Sequence, residues 1–447
     1  MGLLSDSLAE LVCSDWRGGF DTTSRKTMSA IVRTTFIDTA ACILAGRSEA
    51  PTQVVALWAQ QRCAAATDSS VLFTPQRMNS AGAALINAVA GHALDYDDVA
   101  LAGHPSVVLM PALWAEHERL GTRGFDLVQA YAKGYAVWAE MARRFSSSLH
   151  TQGWHPTAVF GVVAAAAAVA ALRGLSKDTT RHAIGIAASL SGGVIANFGS
   201  MTKPMHAGRA AEGGITAVEL AMAGLSASSD ALDGAAGLLS ALAGAHLVDL
   251  DGPCAADAAS TLLRLRPGIK KYPVCYAAHR IADGVLDLVR ANELRPMDVT
   301  AVDATLSETT AGVLRHHAPV TVDQARFSLE FIVATAISHA RLGPTEVSAP
   351  TMAEPEVRNL MPRVHMHTVQ SSCPIEPSFA LNDRVTITLA NGVVLDSGDI
   401  RFARGHAQLP LSEAQLREKL FACARPEEQD LAIEILERIN QALEHSV

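Results

Sequence analysis

The chain has 447 residues, 49% of them apolar and 18% charged, with a formal net charge of −9. That is the composition of a globular protein with a large core, long enough for two or three domains. A net acidic chain in which Lys and Arg never run beyond two in a row excludes its surface as a general platform for nucleic acid or an anionic membrane. In chain order, the opening "MGLLSDSLAELVCSDW" has acids and no basic segment ahead of its apolar residues, so no secretory leader is expected. Residues 24–46 carry apolar side chains at helical spacing and stop on Gly46. Residues 81–98, 124–145 and 178–193 read as further helices. The run "VFGVVAAAAAVAAL" (159–172) reads as an alanine-rich buried helix, too short for a membrane span.

Near 266–280 the texture changes. Residues 299–308 alternate like a strand, and 321–343 read as a helix opened by a capping box of Thr321 with Gln324. Strands are expected at 363–370, 383–390 and 393–400, the last two flanking the hairpin signal Asn391-Gly392. Helical patterns then return, with Ser412 and Gln415 as another capping box. The expected fold is mainly α: a large all-α helical domain of residues 1–266 and 403–447, with a smaller α+β lid domain of residues 267–402 inserted before the C-terminal helices. Clefts between domains favour small-molecule sites. Seven widely separated cysteines without a CxxC pair point to a reducing compartment, the cytoplasm.

Three stretches hold residue types that carry chemistry. "GHALDYDDVALAGHPS" (91–106) places Asp95, Asp97 and Asp98 at the end of a predicted helix, where Asp95 and Asp98 share a face and Asp97 points away. Carboxylates there oppose the helix dipole, so they are expected to orient a cation or a histidine. The window supplies no clear metal-ligand set, and no metal is expected. His104-Pro105 and His155-Pro156 each set an imidazole just ahead of a proline that suits a first helical turn. In "ANFGSMTKPMHAGRAAEGG" (196–214), Lys203, His206 and Arg209 follow at steps of three near a helix start marked by Pro204. Cations gathered there make sense if an anion shares the place, and a carboxylate fits because no phosphate-binding glycine loop is present. Lys270, Lys271 and Cys275 in "GIKKYPVCYAAHR" mark the domain junction, where a lysine would reach the interdomain cleft.

Taken together, "HALDYDD…GHPS", "GWHPTA", "NFGSMTKPMHAGRAA" and "KKYPVC" resemble the motifs of the MmgE/PrpD family, in its order and over nearly the whole chain. The resemblance implies a large helical domain with an α+β lid, a homodimer, and enzymes that use no organic cofactor or metal. It places active-site residues on Asp95, His104, His155, Lys203 and Lys270, with Asp98, His206, Arg209 and Cys275 as further substrate-binding candidates. The family's activities include dehydration of 2-methylcitrate, decarboxylation of cis-aconitate and epimerisation of iminodisuccinate. This chain has Cys275 where the decarboxylase branch has histidine, Val313 where that branch has a lid tyrosine, and "HPSVV" where the dehydratase branch has "HPSDN". Epimerisation of iminodisuccinate is therefore the expectation, with a dehydratase-like lyase second and cis-aconitate decarboxylation third.

These chemistries share a need for cationic clamps on carboxylates and a base for a carbon-bound proton. Lys203 with Arg209 or His206 is expected to hold a small di- or tricarboxylate, His104 and His155 to carry protons, and Asp95 to orient a histidine or lysine. Two other classes compete. "DYDD" matches the DxDD pattern of terpene cyclases, which need aromatic walls that a chain with 5% aromatic residues supplies poorly. A helical interaction scaffold leaves the cationic cluster unexplained.

Overall fold

The computed structural model describes residues 4–15, 21–62, 67–122, 124–243 and 245–443. Residues 1–3 and Trp16, part of the opening segment read for a leader, lie outside them. The protein is mainly α with small sheets, and it divides into two compact units. Unit 1 comprises Met1–Ala93, Asp97–Pro267 and Leu416–Val447; unit 2 comprises Leu94–Tyr96 and Gly268–Gln415.

Unit 1 contains α1 (Leu4–Cys13), α2 (Thr22–Gly46), α3 (Ala50–Gln60), a two-residue ribbon of β1 (Ser69–Ser70) with β2 (Arg77–Met78), α4 (Ser80–His92), α5 (Ser106–Leu120) and α6 (Gly124–Arg143). The short α7 (Pro156–Val159) leads into α8 (Gly161–Arg173), followed by α9 (Lys177–Leu190), α10 (Thr202–Met222), α11 (Leu238–Ala243) and α12 (Ala258–Arg264). Local chemistry sets the helix ends. The side chains of Asp21, Asn79 and Ser176 each accept a hydrogen bond from a backbone N–H of the first turn of α2, α4 and α9. Gly121 and Gly174 take the left-handed conformation that closes α5 and α8.

Helix α10 is the centre of the unit, packed on α4, α8 and α9. The approach is close because small residues line it. A Cβ on Gly208 would come 2.7 Å from the Leu85 carbonyl oxygen of α4, and one on Gly214 would come 2.4 Å from the Ala165 Cβ of α8. Helices α2 and α7–α8 are each long and apolar enough to cross a membrane; in the apolar windows 67% and 89% of residues are buried inside the protein, α8 lying between α6 and α10.

Unit 2 carries α13 (His279–Asn292), β3 (Val299–Ser307), α14 (Glu308–Val313), α15 (Val322–Ala325), α16 (Leu329–His339), α17 (Ala349–Ala353), α18 (Pro355–Leu360), β4 (Val364–Val369), β5 (Arg384–Leu389) and β6 (Val394–Asp396). The sheet runs β4-β3-β5-β6, with β3 parallel to β4 and the other pairs antiparallel. Asn391-Gly392 turns β5 into β6, with Gly392 at φ 84°. Helix α13 packs on α16 and β5. The helix α19 (Glu413–Ala422) begins with the expected Ser412–Gln415 capping box, and α20 (Gln429–Leu443) packs on α2 within unit 1.

Two expected elements differ. The helix over 321–343 is two helices, because Ser328 caps a new start at Leu329 by accepting from the Phe331 N–H. The helix over 81–98 ends at His92, and this moves every acid in the 95–98 cluster.

Candidate active site

With α4 ended at His92, residues 93–105 form a loop, and Asp95, Leu101 and Ala102 adopt positive φ of 52°, 52° and 61°. Each such residue costs roughly 1–2 kcal/mol, so the surrounding packing holds the loop in this form. Trp138 donates from Nε1 to the Leu101 carbonyl at 3.2 Å, and a Cβ on Gly103 would come 2.7 Å from the Trp138 ring. The loop delivers His104, whose N–H donates to the Thr157 hydroxyl at 3.2 Å.

The three acids therefore serve three different purposes, and the expected pairing of Asp95 with Asp98 on one helix face is corrected. Asp98 caps α5: it accepts from the Ser106 N–H at 3.2 Å and from the Ser106 hydroxyl at 2.6 Å, at the end of the helix dipole that favours an acid. Burial pushes its carboxyl well above the usual range, against the pull of those hydrogen bonds. Asp97, expected to point away, is the fully buried acid that touches histidines. Its carboxylate lies 2.9 Å from His92 Nδ1 and 3.1 Å from His104 Nδ1. Asp95 belongs to unit 2, where Lys270 donates from Nζ to its carboxylate and to its carbonyl, both at 2.9 Å. Lys270 is 1% exposed, so it is a buried partner of Asp95, unlike the reaching side chain expected at a hinge. Cys275 is also buried in unit 2, its N–H bonded to the Arg326 carbonyl at 2.9 Å.

His155 is 1% exposed and caps α7 ahead of Pro156, as its His-Pro context predicts, with its N–H donating to the Gly193 carbonyl at 3.0 Å. Its Nδ1 lies 3.1 Å from the Nδ1 of His206, so one ring donates to the other. The ring of His155 also stacks 5.8 Å from His92 and meets Phe198 edge-on at 4.9 Å. Lys203 and His206 stand on the first turns of α10, which starts at Thr202, two residues before Pro204. Both are 5% exposed, and the Lys203 ammonium lies 5.3 Å over the Phe198 ring.

Arg209 does not join them. It is on the exposed side of α10, paired with Glu212, because two steps of three residues turn the helix by about 120° from Lys203. Exposed i,i+3 pairs contribute about 0–1 kcal/mol. Arg209→Ala is therefore expected to leave kcat/KM within about threefold and stability within about 1 kcal/mol. Steady-state kinetics and thermal unfolding check both, and a hundredfold loss of kcat/KM would return Arg209 to the substrate.

The electrostatics are uniform. Burial, with Lys203 nearby, holds His206 at about 4 and His155 well below its ordinary value. Burial likewise takes His92 to about 4, although Asp97 pulls the other way, and His150, whose ring meets Phe198 at 6.2 Å, to about 4. His92, His150, His155 and His206 are thus imidazoles that burial keeps neutral, and they lie beside Lys203. His92, His150 and Phe198 were not singled out from sequence, and Asp97 was read only as the acid that points away. His92 and Asp97 lie inside the quoted "GHALDYDD", but extending the helix through it hid their pairing. The donor atoms of His92, Asp97 and His104 lie within 4.8 Å of one another, a spacing a cation would also fit. Their facing atoms are hydrogen-bonded to each other, and we assign no ligand role there. Cavities of about 680 and 770 Å³ elsewhere in unit 1 are lined by none of these residues.

Buried imidazoles, a lysine and the carboxylate of Asp97, brought together in a mainly α chain, are the residue types of acid–base chemistry. The chain belongs to the MmgE/PrpD family: residues 18–251 match the MmgE/PrpD N-terminal domain and residues 272–442 the C-terminal domain. It is 30% identical to human cis-aconitate decarboxylase over 357 residues, 76% of this chain and 72% of that protein. The mouse protein of the same name is 30% identical over 373 residues, 80% and 75% of the two chains. A cis-aconitate decarboxylase-like protein of Aspergillus oryzae is 32% identical over 205 residues, 42% and 41%. These relatives carry the name of a lyase. A dehydratase-like lyase stood second and cis-aconitate decarboxylation third in the sequence reading, and the comparisons support a lyase and lend the first choice, epimerisation, no support.

Proposed function

We propose that this protein is a lyase that decarboxylates a small unsaturated tricarboxylate of the cis-aconitate type. The observation that carries the reading is the set of buried His155, His206 and Lys203 with the partly buried His104, in a chain that covers about three-quarters of two cis-aconitate decarboxylases. Lys203, the ammonium at the start of α10, holds a substrate carboxylate. The bond to the departing carboxylate breaks, its electron pair passes into the conjugated system, CO2 leaves, and one proton replaces it on carbon. His104 and His155 are the proton carriers, and His206 is the hydrogen-bond partner of His155 Nδ1. Asp95 holds Lys270 in place.

Cys275 favours a second reading. A buried thiol stands where the decarboxylase branch has a histidine, which favours proton removal and return without C–C cleavage, as in epimerisation of iminodisuccinate, or loss of water, as from 2-methylcitrate. Incubating the purified protein with each of the three substrates separates the readings. CO2 with a five-carbon unsaturated dicarboxylate is expected from cis-aconitate. No CO2, together with solvent deuterium entering iminodisuccinate or water lost from 2-methylcitrate, would replace decarboxylation by the second reading.

A further inference from the structure

His92 and Asp97 have no part in the roles just assigned, yet their geometry fixes protons. His104 Nδ1 faces the Asp98 carbonyl at 2.8 Å and an Asp97 carboxylate oxygen at 3.1 Å. Both are acceptors, so this nitrogen bears the hydrogen. His92 Nδ1 faces the two Asp97 oxygens at 2.9 and 3.0 Å, which dictates the same tautomer. The arrangement needs an ionised Asp97. Burial alone would raise its carboxyl, but His92 and His104 outweigh that and hold it well below the usual range. With hydrogen on Nδ1, a neutral imidazole keeps a bare lone pair on Nε2. The Nε2 of His92 is buried and has no hydrogen-bond partner among the described residues, and its ring lies 4.6 Å from His104 and 5.8 Å from His155.

We infer that Asp97 is a positioning residue that locks His104 and His92 together in the Nδ1–H tautomer, so that His92 presents a second proton-accepting nitrogen between His104 and His155. The inference rests on the reading of these imidazoles as proton carriers. One carboxylate orients two rings at once, as outer-sphere carboxylates orient catalytic histidines elsewhere. Protonation of His92 is disfavoured by burial, which keeps its lone pair available at neutral pH.

Solid-state nitrogen NMR of the full chain labelled at histidine reads the tautomers directly, with His92→Gln and His104→Gln spectra assigning the two rings. Nδ1–H with bare Nε2 is expected at both, and Nε2–H at either ring overturns the inference. In Asp97→Asn the side-chain amide is able to donate, so at least one ring should switch tautomer. There kcat on cis-aconitate should fall about 10²–10³-fold with KM within about threefold. Unchanged tautomers with kcat within threefold would also overturn it. Should Asp97→Asn not fold, the wild-type spectrum decides alone. Because the spectra need no substrate, a protein with locked Nδ1–H rings that releases no CO2 would contradict the proposed reaction and leave the lock standing.

Discussion

Replacing His155 with glutamine is expected to lower kcat on cis-aconitate by about 10²–10⁴-fold, the usual contribution of one positioned proton carrier. Glutamine keeps a polar group at the N-cap of α7 but cannot exchange a proton with His206. KM should move less, because the carboxylate anchor Lys203 is untouched. Steady-state kinetics on folded variant test this, and kcat within threefold of wild type would remove His155 from the chemistry. The pH behaviour has a definite sign. Burial first, then Lys203 and the neighbouring imidazoles, hold His155 well below 6.5, so as a base it should keep activity at pH 6, where an exposed histidine is largely protonated. A histidine whose folded value is depressed contributes stability above its unfolded value near 6.5, and loses that contribution as pH falls. Wild type should therefore lose stability relative to His155→Gln between pH 6.5 and 5, as followed by urea unfolding at each pH.

Replacing Lys419 with methionine should cost roughly 3–5 kcal/mol of unfolding free energy, as for one partner removed from a buried ion pair. Lys419 lies 2.5 Å from the Asp38 carboxylate, and their side chains are 3% and 0% exposed. Asp38 is close enough to Asp98 to raise its carboxyl by like charge, so an uncompensated Asp38 would also strain the cap of α5. Burial alone would lower the Lys419 value, but Asp38 outweighs it and raises it. A raised lysine contributes fully below its unfolded value near 10.4 and loses that contribution only as pH rises through the folded one. The loss should thus be the same at pH 6 and pH 9. Adding Asp38→Asn should recover a large part of it, as chemical unfolding of the single and double variants would show. A cost under about 1 kcal/mol, or strict additivity of the two substitutions, would show that the pair is not coupled.

Much of the architecture was readable from side-chain type alone. Capping residues such as Ser412 with Gln415, the left-handed Gly121, and Asn391-Gly392 act within a few residues of chain, so their effect on the backbone needs no distant partner. The two His-Pro pairs announced helix starts for the same reason, since a fixed proline φ acts on its own segment. Alanine and glycine in α8 and α10 signalled close packing, which the Gly214–Ala165 approach realises.

What failed was every inference that extended local periodicity across a boundary set by distant groups. Asp95 and Asp98 share a face only if α4 continues past His92. It stops there, and the acids go to Lys270, to the start of α5, and to two imidazoles. A step of three made Arg209 a companion of Lys203, but burial against α4 and α8 selects one side of α10 and leaves Arg209 in solvent. The sequence by itself determined the family, the mainly α class and the residue types of the site, because capping, propensity and motif spacing are properties of short stretches. Only the tertiary structure decided which carboxylate meets which imidazole and which imidazoles stay neutral, because those depend on burial and on charges brought together from residues 92 to 206.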